Sequence, residues 1–212
     1  MKQSGPIFFE TIEIPDREVM RRMGYPAGAS LQPESLKNMY EDLKNLTLSV
    51  ARVEGVYRIL PIVSTSGEKI TFAGTDFAIT NPQVVKLLRP ASQAVFFMVT
   101  LGHKIGEEIQ KLQESRDLTE AFMLDAIASE TVDWVADRMH HGLIAKEAET
   151  AGLKVTPRFS PGYGDWPLTV QPDILNLCKG GRIGISLNES CLMSPRKSVS
   201  AVLGLIEKKL EA

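Results

Sequence analysis

The stretch that most constrains this chain is Ala94 to Leu101, AVFFMVTL, which carries no charge and no polar side chain larger than a threonine. It is far shorter than the ~20 residues that span a bilayer, and its apolar character is unbroken rather than alternating. It therefore reads as a buried central strand, which other elements must cover. With 212 residues of which 43% are hydrophobic, the chain can build such a core within one compact domain.

The covering elements are legible on both sides of this strand. A short helix is predicted from Asp16, as a side-chain cap, through Met23 with Gly24 as its stop. A second starts at Pro33 or Glu34 and runs to about Val53, with Leu36, Met39, Tyr40, Leu43, Leu46 and Val50 at helical spacing and Gly55 as its end. Val56 to Val63 reads as a strand that turns at Ser66 and Gly67 and returns over Lys69 to Phe72. Asn81 and Pro82 open a helix to Leu88.

Beyond Gly102 the pattern predicts a helix over Lys104 to Glu114 and a much longer one from Leu118 to about Ala151. In the long one Phe122, Ala128, Val132, Val135, Met139 and Leu143 return to one side. Short strands are expected at Lys154 to Thr156, Arg182 to Leu187 and Val199 to Ile206, with a helix near Asp173 to Cys178. Strands and helices do not alternate regularly. The expected class is therefore α+β: a mixed, largely antiparallel sheet packed with helices, one of them long, in a single domain over 1–212.

Several chemistries are excluded at this level. The formal net charge of −2 gives no reason to expect nucleic acid, and no apolar run or leader points to a membrane, so a cytoplasmic protein is expected. Cys178 and Cys191 lack the spacing of a zinc site, and His140 and His141 point about 100° apart on a helix, which suits surface histidines and no metal. The Lys208, Lys209 and Glu211 run reads as a solvated helix terminus. No hydrolase or phosphate-loop motif occurs, and no catalytic acid, base or nucleophile stands out.

The least ordinary stretch is Arg158-Phe159-Ser160-Pro161-Gly162-Tyr163-Gly164-Asp165-Trp166-Pro167. Two glycines and two prolines give it a fixed backbone that can present amides and carbonyls to a ligand. Arg158 offers a planar donor fork suited to a carboxylate, and Tyr163 or Trp166 an aromatic face.

Arg158, Pro161, Gly162, Tyr163 and Pro167 fit the pattern Arg-x-x-Pro-Gly-Tyr with a proline four residues on. A second block, Leu187-Asn188-Glu189-Ser190 followed by Met193, Pro195 and Ser198-Val199-Ser200, agrees with it in order and spacing. In both blocks the chain resembles the activation domain of cobalamin-dependent methionine synthase. The resemblance covers roughly Ala91 to Leu205, the part before residue 91 being matched less securely. Within it, Glu130 matches a glutamate that contacts ligand in that family, and it lies off the Ala128, Val132 and Val135 stripe.

This resemblance implies a free-standing S-adenosylmethionine-binding module, with Glu130, Arg158, Ser160, Pro161, Gly162 and Tyr163 at the ligand. It would support reductive methylation of cob(II)alamin on a cobalamin-binding methionine synthase subunit, with an electron donor such as flavodoxin or ferredoxin. Cobalamin itself would stay on the partner, since Leu101 stands where an Asp-x-His-x-x-Gly motif through His103 would need its aspartate. The match to the family has two gaps: neither Asp16, Asp42 nor any other residue aligns with the family's N-terminal ligand-contacting aspartate, and nothing after Trp166 is aromatic, so Phe159, Tyr163 or Trp166 would have to replace the family's C-terminal tyrosine. The missing tyrosine motivates an alternative, a docking or reactivation chaperone of a corrinoid protein that binds no S-adenosylmethionine.

Overall fold

In the computed structural model, which describes residues 2–3, 5–29, 31–65 and 67–208, an antiparallel sheet carries helices on both faces. The elements run β1 (Lys2–Gln3), β2 (Ile7–Phe8), α1 (Asp16–Arg22), α2 (Glu34–Val50), β3 (Glu54–Ser64), β4 (Ile70–Phe72), β5 (Ala78–Ile79), α3 (Pro82–Leu88) and β6 (Gln93–Thr100). They continue with α4 (Lys104–Glu114), α5 (Leu118–Asp137), a π-helical segment Arg138–Ile144, α6 (Ala145–Thr150), β7 (Leu153–Val155), α7 (Gln171–Cys178), β8 (Ser186–Leu187), β9 (Met193–Ser194) and β10 (Ser198–Glu207). Among these residues no helix is long and apolar enough to cross a membrane.

The strand order is β5-β4-β3-β6-β10-β7, with β1 and β2 also on β3 and β8–β9 forming a separate hairpin. The apolar run is thus the middle of the sheet, paired with β3 on one edge and β10 on the other. Val95, Phe97 and Val99 face a core shared with α1, α2, α4 and α5. Ala94, Phe96 and Met98 face a second core with α3, α7 and Trp166. Period-two alternation with both faces buried explains why the run has no polar phase.

At several places tertiary structure overrides the local reading. Pro15, not Asp16, occupies the cap of α1, and the Asp16 carboxylate instead accepts from the Tyr40 hydroxyl at 2.8 Å and pairs with Lys44 Nζ at 2.9 Å. Helix α2 stops at Val50. Gly55 lies inside β3, where an added Cβ would run into Met139 Cε and Val99. Phe122 is 56% exposed and off the core, whose α5 contribution includes Met123, Leu124 and Ile127.

The long helical run does reach Thr150, but the π segment inserts a residue into the ladder. The buried position therefore moves by one, from the expected Leu143 to Ile144. Over Arg182 to Leu187, Gly184 with φ of 73° breaks the extended run, so a 3-10 turn at Gly180–Ile183 precedes the two-residue strand β8. Lys208 follows β10 rather than ending a helix; Ser66, Lys209 and Glu211 lie outside the described residues.

Gly204 in β10 shows how tightly the sheet meets its covering layer. An added Cβ would sit 2.7 Å from Ala91 Cβ and 3.2 Å from Thr156 Cγ2, neither of which is the end of a flexible side chain. Gly204→Ala is expected to cost roughly 1–3 kcal/mol of stability through overpacking. Urea unfolding of the variant measures it, and an unchanged midpoint would show that the layers can part without cost.

Candidate functional site

Glu130, Asp133 and Asp137 are spaced three and four residues apart, so α5 carries all three carboxylates on one face. Two arginines from elsewhere meet that face. Arg22, in the last turn of α1, donates from Nε to Glu130 Oε1 at 2.5 Å and lies with Nη2 3.8 Å from Asp133. Arg158 donates from Nη1 to Asp137 Oδ1 and holds Nη2 3.9 Å from Asp133. The five side chains form a continuous alternation: Glu130, Arg22, Asp133, Arg158, Asp137.

Glu130 is 8% exposed, and so is not a solvated helix carboxylate. A buried carboxylate keeps its charge only where a cation answers it, and Arg22 does so here. Burial pushes the Asp133 carboxyl above its ordinary range; Arg158 opposes that shift, and the neighbouring Glu130 adds to it. The hydrogen bond that Arg22 donates to Glu130 pushes its pKa further up, keeping it charged.

The motif loop follows β7 and is pinned at both ends. Phe159 exchanges backbone hydrogen bonds with Val202 of β10 at 2.8 and 2.9 Å, while Gly162 N donates to Trp166 O at 2.8 Å and Trp166 N to Tyr163 O at 3.1 Å. Trp166 is 2% exposed and belongs to the second core. It anchors the loop from beneath and presents no open face, which removes it from the rings that could stack on a ligand. Phe159 leans on it, centroids 6.1 Å apart, and Tyr163 is 70% exposed. Gly162, with φ of 90°, makes the turn that projects Tyr163, a conformation in which a side chain would be strained and a Cβ would also press on Leu168.

Between α5, α1 and this loop lies a cleft of about 700 Å³. Glu130, Arg158, Ser160, Pro161 and Tyr163 line it; Gly162 shapes the loop and is not among the lining residues. The floor comes from Met193 and from Ser198, Val199 and Ser200 of the second sequence block, with Ser200 Oγ donating to the buried Gln171 Oε1 at 2.8 Å. Sequence reasoning missed Glu18, Arg21 and Arg22, whose place opposite α5 depends on a contact across 108 positions. It also missed Asp133 and Asp137, although their spacing from Glu130 was there to be counted.

His140 is not a surface histidine. It is 2% exposed, and its Nε2–H donates to Thr156 O at 2.9 Å, two residues before Arg158. Burial, with the neighbouring His141, lowers its pKa to about 4. The folded state thus prefers the neutral ring, so stability is complete above the ordinary histidine pKa and falls as the pH drops from there toward about 4. Thermal melting across that window should show the decline in wild type and a shallower one in His140→Gln; parallel curves would remove His140 as the cause. Among the described residues no cluster of His, Cys, Asp and Glu could hold a metal ion.

This geometry can be set beside known proteins. No curated protein matches the chain. Among solved structures, the crystal structure of the MetH reactivation domain bound to AdoHcy superimposes with a TM-score of 0.66 at 16% identity, covering 94% of this chain and 78% of the other. That likeness shows a shared fold. The model of the vitamin B12 dependent methionine synthase activation domain matches residues 90–208, more than half of the chain and the whole span from β6 to β10. Since that span contains the α5 carboxylates, the motif loop and the floor of the cleft, the chain belongs to the vitamin B12 dependent methionine synthase activation domain family.

Proposed function

We propose that this protein binds S-adenosylmethionine in the cleft and presents it to a corrinoid held by a cobalamin-binding methionine synthase subunit in the cytoplasm. What supports the reading most is that five of the six residues singled out in the sequence line one cleft whose charges suit an amino-acid-bearing cation. Arg158 would take the carboxylate, Glu130 the cationic end, and the Ser160–Tyr163 backbone with the Tyr163 ring would fix the rest. S-adenosylmethionine supplies an electrophilic methyl group. The chain's own residues would bind and orient it, a contribution of alignment rather than acid–base chemistry. The protein would act as a non-autonomous component, with the electron coming from a donor such as flavodoxin or ferredoxin.

One observation favours the alternative of a docking or reactivation chaperone that binds no S-adenosylmethionine. Arg158 already has a carboxylate partner in Asp137, which a ligand carboxylate would have to displace. Asp137 is exposed, so its release to water costs little. Calorimetric titration of the purified chain with S-adenosylmethionine decides between the two. Saturating heat is the expected result, and none at millimolar ligand would leave the chaperone reading.

A further inference from the structure

The charges around the cleft do not balance. Glu18, Glu130, Asp133 and Asp137 face Arg21, Arg158 and the Arg22 bonded to Glu130, so four carboxylates meet three guanidiniums and one negative charge is left over. S-adenosylmethionine carries a sulfonium, an ammonium and a carboxylate, one positive charge in sum; once the methyl has left, the thioether product carries none. The donor neutralises the cleft and the product leaves it one charge short.

We propose that this site chooses between the methyl donor and its demethylated product by charge, with Asp133 as the specificity-determining residue. The inference rests on the reading of the cleft as an S-adenosylmethionine site. Asp133 is the middle member of the alternation and the one within 4 Å of both Arg22 and Arg158, at 3.8 and 3.9 Å. When a ligand carboxylate engages Arg158, Asp133 loses part of its counter-charge and needs another cation. Glu130 already has Arg22 as its counter-charge, so the donor's net positive charge is free to answer Asp133. The product's ammonium only offsets its own carboxylate, so the half-buried Asp133 stays short of a counter-charge. An uncompensated charge away from bulk water is costly, so the product is bound less well and exchanges for fresh donor.

Donor and product differ by one methyl group and one charge, and only the charge part of any preference depends on Asp133 and Arg22. Two substitutions then act in opposite directions. Asp133→Asn removes the surplus negative charge, so the preference for donor over product should fall by about tenfold, the scale of one partly screened charge contact. Arg22→Gln deepens the surplus, so the preference should rise. A merely structural role for either residue would weaken both ligands together and leave their ratio alone.

The experiment is calorimetry of the full chain and the two variants with S-adenosylmethionine and with S-adenosylhomocysteine, with melting temperatures on the same samples. A donor-to-product affinity ratio above one in wild type, lower in Asp133→Asn and higher in Arg22→Gln, is the expected result. Equal ratios in all three proteins, or variants that move the ratio the same way, would overturn the proposal. Should either variant fail to fold, the wild-type ratio itself must shrink as ionic strength rises, because only the donor carries net charge; a ratio indifferent to salt would overturn it equally. Absence of binding by wild type to both ligands would instead bring down the reading of the site, and this inference with it.

Discussion

Arg158→Ala is expected to raise the dissociation constant for S-adenosylmethionine by roughly ten- to over a hundredfold, since a charge-assisted hydrogen bond is worth about 1.5–3 kcal/mol net. The guanidinium stands at the cleft wall between Asp133 and Asp137, so truncation removes both the group that would meet the ligand carboxylate and the counter-charge of two acids. The second loss makes the cleft more negative and more hostile to a carboxylate. Arg158→Lys should recover part of the affinity, because an ammonium keeps the charge without the two-pronged geometry. Stability should change far less: Asp137 is exposed, and pairs of that kind contribute about 0–1 kcal/mol. Affinity and melting temperature taken on one sample separate the roles. A folded Arg158→Ala protein with unchanged affinity would remove Arg158 from the site and most of the case for the loop with it.

Trp166→Ala should be the most destabilising single substitution in the loop, at roughly 3–5 kcal/mol for the loss of a buried aromatic side chain. The indole sits in the second core with residues of β6 and α7, and its backbone closes the turn by bonding with Gly162 and Tyr163. Its loss frees the underside of the loop. Ligand affinity should therefore fall as well, although the ring itself is not placed to touch ligand. Trp166→Phe, which keeps an aromatic filler beside Phe159, should lie between the two. Urea unfolding gives the measure, and a loss under about 1 kcal/mol would show that the loop is held by its backbone bonds alone.

The parts of this protein legible in sequence are those where one local rule acts alone. The uninterrupted apolar run could only be a strand covered on both faces, and Asn81 before Pro82 opened a helix with its side chain on the amides of Gln83 and Val84. The loop was legible because its prolines and glycines restrict the backbone wherever they occur. What escaped depends on contacts distant in the chain. Asp16 looked like a cap but serves Tyr40 and Lys44; Gly55 looked like a helix stop but marks where Met139 crosses β3. The π segment hid because no residue type announces it, and it carried the stripe from Leu143 to Ile144. Half of the site escaped for the same reason: Arg22 and Glu130 are neighbours only once α1 lies on α5.

The central position of β6 also sets an order of events during synthesis. Its register pairs Thr100 with Ser198, so one long edge of the most apolar segment waits for roughly a hundred further residues before its partner β10 exists. Through that interval β3 can cover one edge while the other displays unpaired amides and carbonyls beside Val95, Phe97 and Val99. Such an edge is a template for the wrong partner. Chains interrupted before β10 are therefore expected to be lost to aggregation rather than to persist as partly working modules, and chaperone demand should be greatest while residues 101–197 are emerging.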